Sequence, residues 1–109
     1  MAFTPGSSNG TSNNTTLVDI VAAPAASTQR IVKSIVVYNN DSAAAIVRIF
    51  YNDNGTSREM VRQSVAVSGT LLFETPIILD TTTRKLQFRL NAAVAATQLD
   101  FVTNYADAT

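Results

Sequence analysis

Eight carboxylates are the only side chains here able to act as acids or bases near neutral pH, because the 109-residue sequence contains no histidine and no cysteine. Asp41, Asp53 and Asp80 sit in turn-like stretches, where clustered carboxylates could collect a calcium ion. Asp53-Asn-Gly55 starts like a calcium loop, but its full spacing and terminal glutamate are missing. Asp and Asn hydrogen-bond their own backbone in such turns, so turn chemistry accounts for them and no metal is expected. Glu59, Glu74 and Asp100 could supply a carboxylate pair for glycoside hydrolysis, yet no spacing ties any two of them together. Without histidine the usual hydrolytic triads are excluded. The sequence predicts no enzyme, no cofactor and no small-molecule substrate.

Two binding chemistries remain. Arg48, Arg62, Phe50 and Tyr51 have the types that an oligonucleotide-binding sheet would use. Inward packing of Phe50 beside ordinary solvated arginines is the simpler account. The formal net charge is zero and Lys/Arg blocks are absent, so no nucleic-acid partner is expected. Sugar or receptor binding would use exposed aromatics, for which Tyr38, Tyr51 and Tyr105 are the candidates. Asn-x-Ser/Thr triplets begin at Asn9, Asn13, Asn14, Asn40 and Asn54, as a chain rich in these residues produces by chance.

The elements that would position these groups are strands. Arg84–Asn91 alternates cleanly, with Leu86, Phe88 and Leu90 inward against Lys85, Gln87 and Arg89. In Gln29–Tyr38, Ile31, Lys33, Ile35 and Val37 fall on one face and Val32, Ser34, Val36 and Tyr38 on the other. Both faces are largely apolar, which predicts a central strand covered on each side. Further strands are expected at Leu17–Ala22, Ala43–Tyr51, Ser57–Val67, Thr70–Phe73, Ile77–Leu79 and Gln98–Tyr105. Asn52-Asp-Asn-Gly55 is the strongest hairpin signal. In Gln98–Tyr105 the residues Leu99, Phe101, Thr103 and Tyr105 face inward, leaving Asp100 for solvent or an intersubunit contact. About eight short strands joined by tight turns predict an all-β antiparallel sandwich or jelly roll.

Residues 1–16 are almost entirely Ser, Thr, Asn, Gly and Pro, and read as a polar N-terminal arm before a sandwich domain at 17–109. The arm is expected to lie on a neighbouring subunit, with Phe3, Pro5 and Leu17 as its interface residues. Its removal is expected to weaken assembly and leave the sandwich folded. The opening MAFTPGSS lacks a basic stretch followed by an apolar one, so no secretory signal is expected, and no run is long enough to span a membrane. At 46% apolar and 15% charged residues, the chain carries less charge than the ~25% usual for a soluble domain. Much of its surface is then neutral, or is buried against something.

The succession RIVKSIVVYNNDSAAA, IVRIFYNDNGTSREMV, SGTLLFETPIIL, RKLQFRLN and TQLDFVTNYAD resembles the small β-sandwich virion proteins of tailed bacteriophages, in particular head decoration (cement) proteins. The resemblance covers residues 17–107 and implies a protein without catalytic residues. It implies a homo-oligomer, commonly a trimer, that binds the major capsid protein on the capsid exterior and reinforces it. Synthesis in the host cytoplasm follows from the same reading. A carbohydrate- or receptor-binding sandwich, or a minor component, of a phage tail, collar or fibre is the alternative.

Overall fold

The computed structural model describes residues 3–109. Nine strands form, and no helix occurs among the described residues. They are β1 (Phe3–Thr11), β2 (Val18–Val21), β3 (Gln29–Tyr38), β4 (Ala45–Asp53), β5 (Thr56–Val65), β6 (Thr70–Phe73), β7 (Ile77–Leu79), β8 (Arg84–Leu90) and β9 (Asp100–Ala108). One sheet has the order β1-β9-β3-β6, with β7 also on β3; the other runs β2-β8-β4-β5, and every pairing is antiparallel.

β6 and β7 are two pieces of one edge strand, pairing with successive parts of β3 on either side of a break that contains Pro76. Counted together, the pairs nest as β1 with β9, β2 with β8, β3 with β6/β7, and β4 with β5. That is one long hairpin rolled up into two sheets, the jelly-roll arrangement.

The inner faces meet in a core of Ile20, Ile35, Ile49, Leu86, Phe88 and their neighbours. Phe88 of β8 packs edge-on against Phe101 of β9, ring centroids 5.3 Å apart at 69°, and so ties one sheet to the other. Two bulges tune which residues reach this core. At Asp19/Val21 the register of β2 shifts, so that Ile20 and Val21 are both fully buried. Between Val32 and Ser34 the register of β3 on β9 shifts, which breaks the simple alternation expected there: Val32 turns inward with Ile35 and Val37.

Residues Phe3–Thr11, expected to reach a neighbouring subunit, instead run along β9 of their own chain through nine paired residues. The physical reason lies in their glycines. A Cβ on Gly6 would come within 2.6 Å of the Tyr105 ring, and one on Gly10 within 3.0 Å of the Phe101 ring. Absent side chains let two aromatic rings of β9 spread under β1 and fill its inner face. The Ser12–Leu17 connection is pinned as well. Ser12 Oγ donates to Gln98 Oε1 (2.7 Å) and accepts from the Leu99 N–H (2.9 Å), while Gln98 Nε2 donates to Asn14 Oδ1 (2.8 Å). Deleting this segment would strip β9 of a ladder and expose both rings, so an intact sandwich without it no longer follows.

Two substitutions test this packing. Phe88→Ala should cost about 3–5 kcal/mol in urea unfolding, the range for a fully buried aromatic. Gly6→Leu should cost about 1–3 kcal/mol through overpacking against Tyr105.

Candidate interaction surface

The two outward faces of the sandwich are chemically opposite. On the β2-β8-β4-β5 sheet the side chains are committed to one another. Gln87 Nε2 donates to Asp19 Oδ1 (2.7 Å) and Asn52 Nδ2 donates to Gln87 Oε1 (2.9 Å), a polar row across β2, β8 and β4. Lys85 pairs with Asp19. Glu59 is held by Arg48 and by Arg62, whose Nε lies 2.8 Å from it. Hydrogen bonds from Arg62, then Arg48, keep the Glu59 carboxyl below the usual range, opposed by partial desolvation.

Phe50 belongs to this outer layer, contrary to the inward packing expected for it. It pairs across β4 and β8 with Gln87, while Tyr51, one residue on, pairs with the buried Leu86. The Arg48 and Arg89 guanidinium carbons stand 5.2 and 5.7 Å from the Phe50 ring centroid, and the side chain is only 8% exposed. Six of the eight basic residues (Arg48, Arg58, Arg62, Arg84, Lys85 and Arg89) lie on strands of this sheet. Of the group Arg48, Arg62, Phe50 and Tyr51 read from the sequence, Arg48 covers Phe50 and shares Glu59 with Arg62, but Tyr51 turns to the core, and it is Arg89 that completes the cover over the ring.

The outer face of the β1-β9-β3-β6/β7 sheet carries no ion pair among the described residues, and its side-chain bonds have neutral donors: Asn104 Nδ2 to Ser34 Oγ (3.1 Å) and Asn40 Nδ2 to Asp100. Register places Val102, Val36 and Leu72 side by side across β9, β3 and β6, and Asp100, Tyr38 and Thr70 in the next row. Ala106, Ile31 and Ile78 form a further row, continued by Pro5 of β1. Phe3 stands at the corner, opposite Ala108. Among the described residues, five of eight exposed large apolar side chains lie here: Phe3 (60%), Leu72 (57%), Ile78 (53%), Val102 (45%) and Tyr38 (39%). Apart from Lys33 at the β3 bulge and Asp100, the rest of this face is small and neutral, including Ser7, Asn9, Ser34 and Asn104. The apolar second face of β3, expected to be covered, is thus uncovered in this chain. Exposed apolar rows of this kind, here divided by the small polar row Ser7–Asn104–Ser34, mark a candidate interaction site.

The free sheet edges, by contrast, are guarded. β1 carries Pro5, β2 is only four residues long, the β6/β7 edge is interrupted, and the outer strand β5 displays Arg58, Glu59 and Arg62. Each device discourages strand addition, which directs association to the face.

Of the expected interface residues, Phe3 and Pro5 lie on this face, and Leu17 sits half-exposed in the connection leading to β2. The candidate tyrosines do not converge. Tyr38 is on the outer face. Tyr51 packs against the core from the other sheet, and burial pushes its hydroxyl pKa up. Tyr105 also turns inward, under the Arg30 guanidinium at 4.2 Å, and Arg30 is in turn clamped by both carboxylate oxygens of Asp107 at 2.8 and 3.1 Å.

The turn carboxylates are likewise occupied. Asp53 and Asp80 flank Arg84. Asp41 is almost fully buried and receives the backbone N–H groups of Ala95 (2.9 Å), Ala96 (2.8 Å) and Thr97 (3.0 Å). It thereby fastens the alanine-rich β8–β9 connection to the β3–β4 turn. Glu74 lies in the break between β6 and β7, and Asp100 on the outer face of the β1-β9-β3-β6/β7 sheet accepts from Asn40 Nδ2 at 3.1 Å. Exposure of Asp100 on the face opposite the core agrees with the reading from the sequence.

Neither a protein-family profile nor a curated protein sequence matches this chain. Solved structures do share its fold. A chain in the crystal structure of the T13 infectious bursal disease virus particle is similar with a TM-score of 0.56 and 13% identity, over 96% of this chain and 30% of that one. A chain in the structure of the Gx strain of the same virus gives 0.50 and 11%, over 95% of this chain and 33% of that one. The present chain therefore spans about a third of the length of these structural relatives. At such identities the likeness is one of fold.

Asp41 yields a pH prediction. Hydrogen bonds from Ala95, then Thr97, hold its carboxyl at about 2, below the ordinary 3.8. A depressed folded-state value means that the stabilisation is complete above the unfolded value and is lost as pH falls towards 2. Asp41→Asn should lower the urea midpoint at pH 7 and flatten its decline between about pH 4 and pH 2. An unchanged decline would show that the acid sensitivity lies elsewhere.

Proposed function

We propose that this chain is a structural virion protein, a capsid decoration or cement subunit that binds the outer capsid lattice as a homo-oligomer and acts by binding alone. The observation that carries the reading is the largely apolar, near-neutral face on a fold whose ion pairs lie elsewhere, most of them on the opposite sheet. A protein whose product is surface has no need of an assembled acid, base or nucleophile. It does need a scaffold that holds one face steady, and a jelly roll whose Ser12–Leu17 and β8–β9 connections are pinned by hydrogen bonds supplies that.

Two further strands of support point the same way. Jelly rolls are frequent in viral shells, a fold-level analogy that raises the expectation without assigning the role. The likeness to chains of a virus particle is of the same kind. The resemblance to tailed-phage cement proteins adds the finer features: the major capsid protein as partner, the capsid exterior as location, and a trimer as the common stoichiometry.

Co-sedimentation with expanded phage capsids lacking decoration tests the reading. Saturable binding that raises the heat resistance of the capsid is the expected result; absence of binding at micromolar protein would overturn it. Phe3→Ala should weaken that binding several-fold while moving unfolding stability by no more than about 0.5 kcal/mol, as for an exposed side chain.

A further inference from the structure

We propose that the partner covering the outer face of the β1-β9-β3-β6/β7 sheet is a second copy of this chain, related by a two-fold axis that sets Lys33 of each copy against Asp100 of the other. This rests on the homo-oligomer reading above and on the same face, and it puts a two-fold pair in place of the trimer that the phage resemblance implies.

The argument begins with charge. Within the strands of this face the charged side chains are Lys33, exposed at the β3 bulge beside Ser34, and Asp100 at the start of β9. Lys33 makes no ion pair among the described residues, and Asp100 meets only the neutral amide of Asn40. The bulge lies level with Asn104, so the two charges are separated by four residues of β9, about 13 Å at strand rise. Between them runs the apolar row Val102–Val36–Leu72.

A cation on one side of an apolar row and an anion on the other is self-complementary under a two-fold axis through that row. Two faces laid together with their β9 strands running oppositely bring each Lys33 over the partner's Asp100 position, and the apolar rows onto each other. An isologous interface repeats every contact twice, so both charges of both copies are satisfied by one geometry. Parallel stacking would set like charge on like charge. The other sheet is a poor alternative cover, because its arginines already clasp Glu59 and Phe50 and would have to be desolvated against apolar side chains. Guarded edges leave the face as the route to association.

Light scattering after size exclusion tests the proposal on the full chain, with urea midpoints to confirm that each variant is folded. Wild type should run as a dimer or a multiple of two, and Val102→Lys should reduce it to single copies. Lys33→Asp and Asp100→Lys should each weaken pairing about tenfold or more, since each places like charges opposite one another twice. Mixing the two variants should restore pairing, because each then supplies the charge that the other lacks. So should the double swap in one chain. A monomeric wild type, a mass indifferent to Val102→Lys, or charge changes that fail to compensate would overturn the proposal. Capsid co-sedimentation separates the two claims: a stable pair that ignores capsids removes the virion reading alone, and a monomer that binds capsids removes this one alone.

Discussion

The edge-on contact of Phe88 with Phe101, within the core that Ile35, Ile49 and Leu86 also build, is where the two sheets become one body. Everything else in the sandwich is arranged around it. Because those rings and aliphatic chains occupy one face of each sheet, the opposite faces must be made compatible with something else. The chain solves this differently on its two sides. On β2-β8-β4-β5 it supplies charge, amides and the arginine cover over Phe50. On β1-β9-β3-β6/β7 it supplies Val, Leu, Ile and Tyr among small neutral residues. Desolvating the first would break many paired groups, whereas desolvating the second is favourable at about 25 cal/mol per Å² of apolar surface.

That difference converts packing into a statement about function. A stable protein interface removes on the order of 800 Å² from each partner. The face is built on the long strands β1, β3 and β9, of nine, ten and nine residues, and its polar groups are mostly small and neutral. The low overall charge that looked like a deficit in the sequence is concentrated on this side: six of eight cations have been moved to the other sheet.

Much of the fold was legible in the sequence, and the exceptions have specific causes. The strand Arg84–Leu90 could be read face by face because only one parity is apolar. In AIVRIFYND both parities carry large apolar residues, so period-2 alternation could not say that Phe50 points out and Tyr51 in; the arginines on either side of Phe50 were the available signal. The β3 bulge leaves no composition mark at Lys33, yet it decides that Val32 is core. β1 was hidden by its own composition. Gly, Ser and Asn read as a tail, and only the rings of Phe101 and Tyr105, about a hundred residues away, make those glycines a strand. As for the interaction surface, Phe3, Pro5 and Tyr38 were picked out singly, but Leu72, Ile78 and Val102 join them only through register, which local patterning does not carry.

The central claim is that the protein works through the outer face of the β1-β9-β3-β6/β7 sheet. Hydroxyl-radical footprinting of side chains, comparing dilute and assembled protein, addresses it directly. The account predicts protection on assembly at Tyr38, Leu72 and Ile78, with no change at Leu17 or along β5. Protection confined to β5 and the β2-β8-β4 side, with Tyr38, Leu72 and Ile78 equally reactive in both states, would contradict it.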